Sequence, residues 1–294
     1  MTEPVWTTLI TTPDYAQGLL CLAYSLLLVQ SKANLLCYVP SETMRAAIVA
    51  TAEKNSAWGY PANLIIEVLS GSLYDEIFNK DLSRDASMFI DAPRRFLFRQ
   101  EQPFIFLDAD MIATQNFDEL LEYIQPQSNT CLNLDGITAV PNFRNKKKGY
   151  GDSSGNFNAG MMIVPKPSLA DYNLMMEILE KGYNDTEEKL INEVFRNRWH
   201  ALPVGFNCQK RAYKLAPTVW NDIHASTTGI RIIHYVGGKP WQSVEELLRL
   251  DYEAVSPEAM APYQPIFDLW HDVYEGRIRT AEQLRDATPL AIVK

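Results

Sequence analysis

Phe104-Ile-Phe-Leu-Asp108-Ala-Asp110 is the stretch on which the reading of this chain turns. Four consecutive apolar residues predict a strand buried on both faces, as in the interior of a parallel sheet with helices on either side. The strand runs directly into two carboxylates at its carboxyl end, where ligands gather in open α/β sheets. An i, i+2 spacing in extended chain turns both carboxylates to one side. Two hard oxygen donors there suit Mg²⁺ or Mn²⁺ holding a phosphate-bearing ligand. The competing structural reading is an Asp pair capping a turn, and a bare Asp-x-Asp is expected about once by chance in a chain of this composition.

Working outward, the residues before Phe104 alternate strand and helix. Val5–Ile10, Leu35–Val39 and Leu64–Val68 read as strands, with helices predicted over Tyr15–Gln30 and Glu42–Asn55. This is the βαβ rhythm of a mostly parallel sheet. Leu19 to Val29 reads LLCLAYSLLLV, about half of what a bilayer span needs and without a basic segment before it, so a buried helix is expected. After Asp110, Asn116 ahead of Asp118-Glu119 marks a capped helix start toward Tyr123. The polar run from Pro141 to Asn156 reads as a long surface loop. Met161–Val164 follows as a strand, then helices over Leu169–Tyr183 and Glu187–Arg196, a late strand over Ile230–Tyr235, and amphipathic helices over Val244–Leu250 and Ile266–Tyr274.

Composition narrows the function. The 294 residues suit one large α/β domain, and 47% hydrophobic against 21% charged residues excludes extended disorder. With 36 acidic and 27 basic side chains the net charge is −9, which argues against nucleic acid and against electrostatic binding to anionic membranes. The four cysteines, Cys21, Cys37, Cys131 and Cys208, form no CxxC pair and fit free thiols in a reducing, cytoplasmic setting.

Two enzyme classes place an Asp pair after a buried strand. Aspartate-nucleophile phosphatases want Thr or Val two residues beyond the second Asp, where this chain has Ile112. Nucleotide-sugar-dependent glycosyltransferases carry no such requirement. The block His234-Tyr-Val-Gly-Gly-Lys-Pro-Trp241 favours them. A His at a strand end can complete a metal site begun by two Asp, and Lys239, held by Pro240, can neutralise a diphosphate. Glycines between them admit close approach of the backbone to phosphate oxygens.

With these blocks in view the chain resembles glycosyltransferase family 8, the family of glycogenin and galactinol synthase, and is most similar to its fungal-type single-domain members. The resemblance runs from about Val5 to Trp241. It rests on Thr8-Leu-Ile-Thr-Thr-Pro-Asp-Tyr15-Ala-Gln-Gly18, Phe106-Leu-Asp-Ala-Asp110, Phe157-Asn-Ala-Gly160 and His234 to Trp241, in that order. It implies a GT-A nucleotide-sugar transferase fold, Rossmann-like with a mostly parallel central sheet. A single domain over 1–294 is expected, with 242–294 as a helical C-terminal cover.

Residue by residue, the resemblance implies that Leu9, Thr11, Thr12 and Tyr15 hold uracil and ribose, with Tyr15 stacked on the base. Asp108, Asp110 and His234 are the implied ligands of Mn²⁺, with Mg²⁺ as the alternative, and Ala109 meets the ribose through its backbone. Gly237 and Lys239 are expected on the diphosphate, and Asn158 and Ala159 on the donor sugar. Arg94 best matches a basic position upstream of the Asp pair, with Arg95 its rival and Arg84 a second basic contact. Where the family commonly has Asp-Gln, this chain has Glu187-Glu188, which puts the donor-sugar preference and activity itself in question. Asp185 is a further candidate for a sugar hydroxyl.

The expectation is a metal-dependent, retaining transfer of a hexose from a UDP-sugar to a carbohydrate, polyol or other hydroxyl acceptor. Arg94, Glu187, Glu188 and Lys239 are the expected catalytic group. Two alternatives stand beside it. One is a self-glucosylating glycogen primer, with Tyr213 near where a primer tyrosine falls but without the long tail expected of glycogenin. The other is a non-catalytic UDP-sugar-binding protein. Neither the acceptor nor homodimerisation is written in the sequence.

Overall fold

The computed structural model describes residues 5–69, 94–125, 128, 134–145, 149–150, 155–183, 185–250 and 256–293. Strands β1 (Val5–Leu9), β2 (Asn34–Val39) and β3 (Leu64–Val68) pair in parallel, and β4 (Phe104–Leu107) lies parallel to β1 on its other side. All four residues of β4 are buried, as an unbroken apolar strand requires. Strand β5 (Met111–Ala113) follows at once, and β6 (Ile137–Pro141) precedes a small β7–β8 hairpin (Phe143–Asn145 and Gly149–Tyr150). Strand β9 (Phe157–Val164) then runs antiparallel between β4 and β6, and β10 (Trp199–Ala201) closes the edge beside β6. The central sheet therefore has the order β10-β6-β9-β4-β1-β2-β3 and is mostly parallel, with β9 reversed. A second sheet joins β11 (Cys208–Gln209), β12 (Ile232–His234) and β5, with β12 antiparallel to β5.

The LLCLAYSLLLV segment forms the Ala16–Leu28 helix, in which Leu19, Leu20, Cys21, Leu22, Ala23, Tyr24 and Leu26 are all buried. No helix among the described residues is long and apolar enough to cross a membrane. The helix begins later than the pattern predicts, because Pro13–Tyr15 forms a separate 3₁₀ turn that brings Tyr15 to the helix N-cap. Ser25 fixes β5 to this helix: its Oγ accepts the Ala113 N–H at 2.9 Å and donates to Leu22 O at 2.7 Å.

The C-terminal helix Gln264–Tyr274 packs on the same core through Ile266, Leu269, Trp270 and Val273. Trp58 Nε1 donates to Val273 O and Asn55 Nδ2 to Tyr274 O, both at 2.8 Å, which ties this helix to the N-terminal βα units.

The structure corrects several local expectations. Asn116 does not cap an α-helix. Its Oδ1 accepts the Asp118 N–H, and the chain forms a 3₁₀ helix over Asp118–Ile124. The stretch read as a loop from Pro141 contains the end of β6 and the β7–β8 hairpin. Strand β9 begins at Phe157 rather than Met161, because Asn192 grips both polar groups of Phe157, donating to its carbonyl at 2.9 Å and accepting its N–H at 2.8 Å. Asn192 thereby stands in for a neighbouring strand, and periodicity does not register such a partner.

Candidate active site

The carboxyl ends of β4 and β12 converge because β5, directly after the Asp pair, is hydrogen-bonded to β12 with Met111 opposite His234. One ligand atom from each of Asp108, Asp110 and His234 lies within 4.8 Å of the others. His234 Nε2 is 3.2 Å from Asp110 Oδ1 and 3.6 Å from Asp108 Oδ2. Two hard carboxylate oxygens and an imidazole nitrogen form a donor set that suits a divalent cation. The backbone passes close beside this group: a Cβ added to Gly160 would stand 2.3 Å from His234 Cε1 and 2.7 Å from Asp108 Oδ2, so a side chain there would displace one of them.

A basic side chain pairs with each carboxylate. Arg94 Nη2 is 2.6 Å from Asp108 Oδ1, and Lys239 Nζ is in direct contact with Asp110 Oδ2 while donating to Tyr235 O at 3.0 Å. Burial pushes the Asp110 carboxyl up, but Lys239 and His234 outweigh it and hold that carboxyl well below the usual range. Burial likewise works against the charge on Lys239, and the Asp110 carboxylate more than restores it. The same balance holds for Arg94, where Asp108 and Glu187 overcome desolvation.

One pocket collects Leu9, Tyr15, Arg94, Asp108, Ala109, Asp110, Asn158, Glu188, His234, Gly237 and Lys239 from the sequence expectations, together with Ile10 and Val236. Tyr15 meets Trp241 edge-on at 5.8 Å, and Lys239 Nζ is 5.6 Å from the Tyr15 ring centre. Gly237 takes φ +81, a conformation that favours glycine.

Thr11, Thr12, Ala159, Asp185 and Glu187 lie outside the lining. Asp185 is bound to Lys189 at 2.6 Å on the surface. Arg84 lies outside the described residues.

The two glutamates face different ways. Glu187 is buried and accepts the backbone N–H groups of Arg94 at 2.8 Å and Arg95 at 3.2 Å, with Arg95 Nη1 at 2.9 Å. This separates the two arginines: Arg95 holds Glu187, and Arg94 reaches Asp108. Glu188 turns into the pocket. Its Oε2 accepts from Asn158 Nδ2 at 2.9 Å and the Ala159 N–H at 3.0 Å, and its Oε1 from Asn142 Nδ2 at 2.9 Å. Burial raises the Glu188 carboxyl above its ordinary value, only partly opposed by the Ala159 N–H and Arg94.

Asn142 and Asn207 were not anticipated. Asn207 is fully buried and makes hydrogen bonds with both Asn158 and His234. No local pattern marks either residue, since their partners lie far away in sequence.

The family model of glycosyltransferase family 8 matches residues 7–245. The chain belongs to that family. Among curated relatives it is 29% identical to glycosyltransferase GlyB of Streptococcus pneumoniae over half of this chain and 36% of that protein. It is 24% identical to glycogenin-1 of Caenorhabditis elegans over 80% of this chain and 50% of that protein. The chain thus spans half or less of the length of these two relatives.

Solved structures share the GT-A fold. The bifunctional glycosyltransferase WbbM aligns over 90% of this chain and 52% of its own, with TM-score 0.57 and 18% identity. The galactosyltransferase LgtC, solved with donor and acceptor sugar analogues, aligns over 93% of this chain and 96% of its own, with TM-score 0.52 and 16% identity. In this family member, the buried Asp108–Asp110–His234 group can hold a divalent metal.

Proposed function

We propose that this glycosyltransferase is metal-dependent and retaining, and moves a hexose from a UDP-sugar to a hydroxyl acceptor. The observation that carries the reading is the meeting of Asp108, Asp110 and His234 with Arg94 and Lys239 in one pocket. The three ligands would hold Mn²⁺, with Mg²⁺ the alternative. Bound there, the cation supplies a Lewis acid beside the diphosphate. Arg94 and Lys239 stabilise the charge that gathers on UDP as the glycosidic bond breaks, so the leaving group needs no strong general acid. Tyr15 and Leu9 line the end proposed for the nucleoside, and Asn158 and Glu188 the end proposed for the hexose.

Glu188 bears on the route of transfer. Both its oxygens accept hydrogen bonds, from Asn142, Asn158 and the Ala159 N–H, which blunts a carboxylate as a nucleophile. Front-face attack by the acceptor is therefore the proposed course, and Glu188→Gln is expected to retain turnover. Loss of turnover in that variant together with a glycosylated wild-type enzyme, detected by intact mass, would favour the covalent route instead.

The primer reading draws no support from Tyr213, which is buried and donates its hydroxyl to Leu290 O at 3.2 Å. Free thiols at the buried Cys21 and Cys37 support a cytoplasmic setting. The ties from Trp58 and Asn55 to the helix Gln264–Tyr274 support one domain with 242–294 as its cover.

The deciding experiment is a donor screen with Mn²⁺ over UDP-glucose, UDP-galactose, UDP-GlcNAc and UDP-xylose, read by UDP release. One donor should turn over, and Asp108→Asn should abolish the signal. Tight Mn²⁺-dependent binding of a donor with no release under any condition would leave a UDP-sugar-binding protein instead.

A further inference from the structure

We infer that Asn207 is a positioning residue for His234, fixing which ring nitrogen is presented to the metal. The inference rests on the metal reading of Asp108, Asp110 and His234 and concerns a residue outside the pocket lining.

The orientation of each amide in this network follows from its neighbours. Glu188 presents only acceptors when ionised, so the Asn158 group at 2.9 Å from its Oε2 is the NH₂. The Asn158 oxygen then points the other way, where it accepts the Gly160 backbone N–H at 3.2 Å. That backbone donor cannot be exchanged for an acceptor, so Asn158 is pinned from both ends.

The contact of 2.8 Å between Asn158 Oδ1 and Asn207 must then be made by the Asn207 NH₂. What Asn207 turns toward His234 Nδ1, at 2.9 Å, is its carbonyl oxygen. Nδ1 therefore carries a hydrogen, which makes Nε2, the nitrogen facing Asp108 and Asp110, the one that can offer a lone pair to a cation.

Both Asn207 and His234 are buried, so no water is at hand to replace a lost partner. Asn207 sits at the end of the 3₁₀ turn Val204–Asn207, directly before β11, which pairs with β12 and sets it opposite the end of the His234 strand. A hydrogen bond of this kind fixes a ligating imidazole in both tautomer and rotation, and losing it costs metal affinity of the order of 10- to 100-fold.

The test measures Mn²⁺ binding to the nucleotide-free full chain by EPR of free Mn²⁺, beside thermal melting of the same samples. Asn207→Leu should weaken Mn²⁺ binding by about 10- to 100-fold. Asn207→Asp keeps an acceptor for Nδ1–H, although its second oxygen meets Asn158 Oδ1 where the amide donated, and should weaken binding clearly less than Asn207→Leu. Equal affinity in Asn207→Leu and wild type would overturn the assignment, as would equal weakening in both variants with unchanged melting. A wild type that binds no Mn²⁺ would instead overturn the metal reading on which the assignment rests.

The long-range ¹H–¹⁵N spectrum of the metal-free wild type in alkaline buffer needs no variant to fold. It should show His234 protonated on Nδ1. A ring protonated on Nε2 alone would overturn the proposal.

Discussion

The two ends of the pocket are held together by different chemistry. At one end, Asp108 and Asp110 are matched to Arg94 and Lys239 by charge. At the other, Glu188, Asn158, Asn142, Asn207 and Gln209 are joined by directional hydrogen bonds in which the carboxylate accepts from Asn142 and Asn158, and these in turn accept from Gln209 and Asn207. Charge pairs are exchangeable: in the proposed reaction a cation and a diphosphate would take over both halves of each pair without leaving a buried charge alone. The amide network has no such freedom, because turning one member strands a donor against a donor. The first end is built to change partners, and the second to keep them.

The largest effect should come from breaking the charged end. Asp110→Asn removes a proposed metal ligand and leaves Lys239 buried without its counter-charge, and UDP release should fall by about a thousandfold, ~4 kcal/mol in transition-state stabilisation. Equal rates in variant and wild type would show that the charge at this position is not used.

Next comes the joint between the two ends. Arg95→Ala leaves the buried Glu187 carboxylate with only backbone donors, and urea denaturation should show a loss of about 3 kcal/mol. A stability unchanged by Arg95→Ala would mean that the turn bearing Arg94 is held by something other than Glu187.

Gly160→Ala tests whether the ends share a wall. The new methyl must displace His234 or Asp108, so a stability loss of about 2 kcal/mol by thermal melting and weaker Mn²⁺ binding should appear together.

The smallest effect separates the ends by pH. Burial raises the Glu188 carboxyl, so its ionisation costs the folded state stability above that raised pKa, and protonation relieves the cost as pH falls through it. Glu188→Gln removes this pH dependence but sets an amide NH₂ against a donor of the network, so it should melt below wild type, by less in alkaline buffer and by more as pH falls. Asp110 has the opposite sign: its depressed pKa contributes stability above the ordinary carboxylate range that is lost only in strong acid. A deficit that shrank on acidification would contradict the assignment of burial as the dominant cause at Glu188.

How far the sequence could be read follows the same division. Strands β1 to β4 were legible because each is a short apolar run closed by turn residues, and the charged end because Asp108, Asp110, His234 and Lys239 are distinctive types at strand ends. The amide end was legible only at Asn158 and Glu188, and there through the family resemblance. Asn142 and Asn207 are ordinary by composition, and they acquire meaning only when β9 runs antiparallel beside β4 and β11 aligns with β12. Strands β5, β10 and β11 are two or three residues long, too short for any periodicity to show. The choice between Arg94 and Arg95 could not be made from spacing, since neighbouring side chains diverge and only the position of Glu187 tells them apart. Glu187 itself was expected at the donor sugar, and its place beneath the arginine turn is visible only in three dimensions.

The pairing of Met111 with His234 has a consequence for how the molecule is made. The parallel β1–β2–β3 unit closes from neighbouring stretches of chain and can form early in synthesis, whereas the third member of the proposed metal site is delivered only when β12 has been translated and has found β5. A nascent chain that ends before β12 therefore carries the two aspartates alone. The proposed site is complete only when the strand bearing His234 docks.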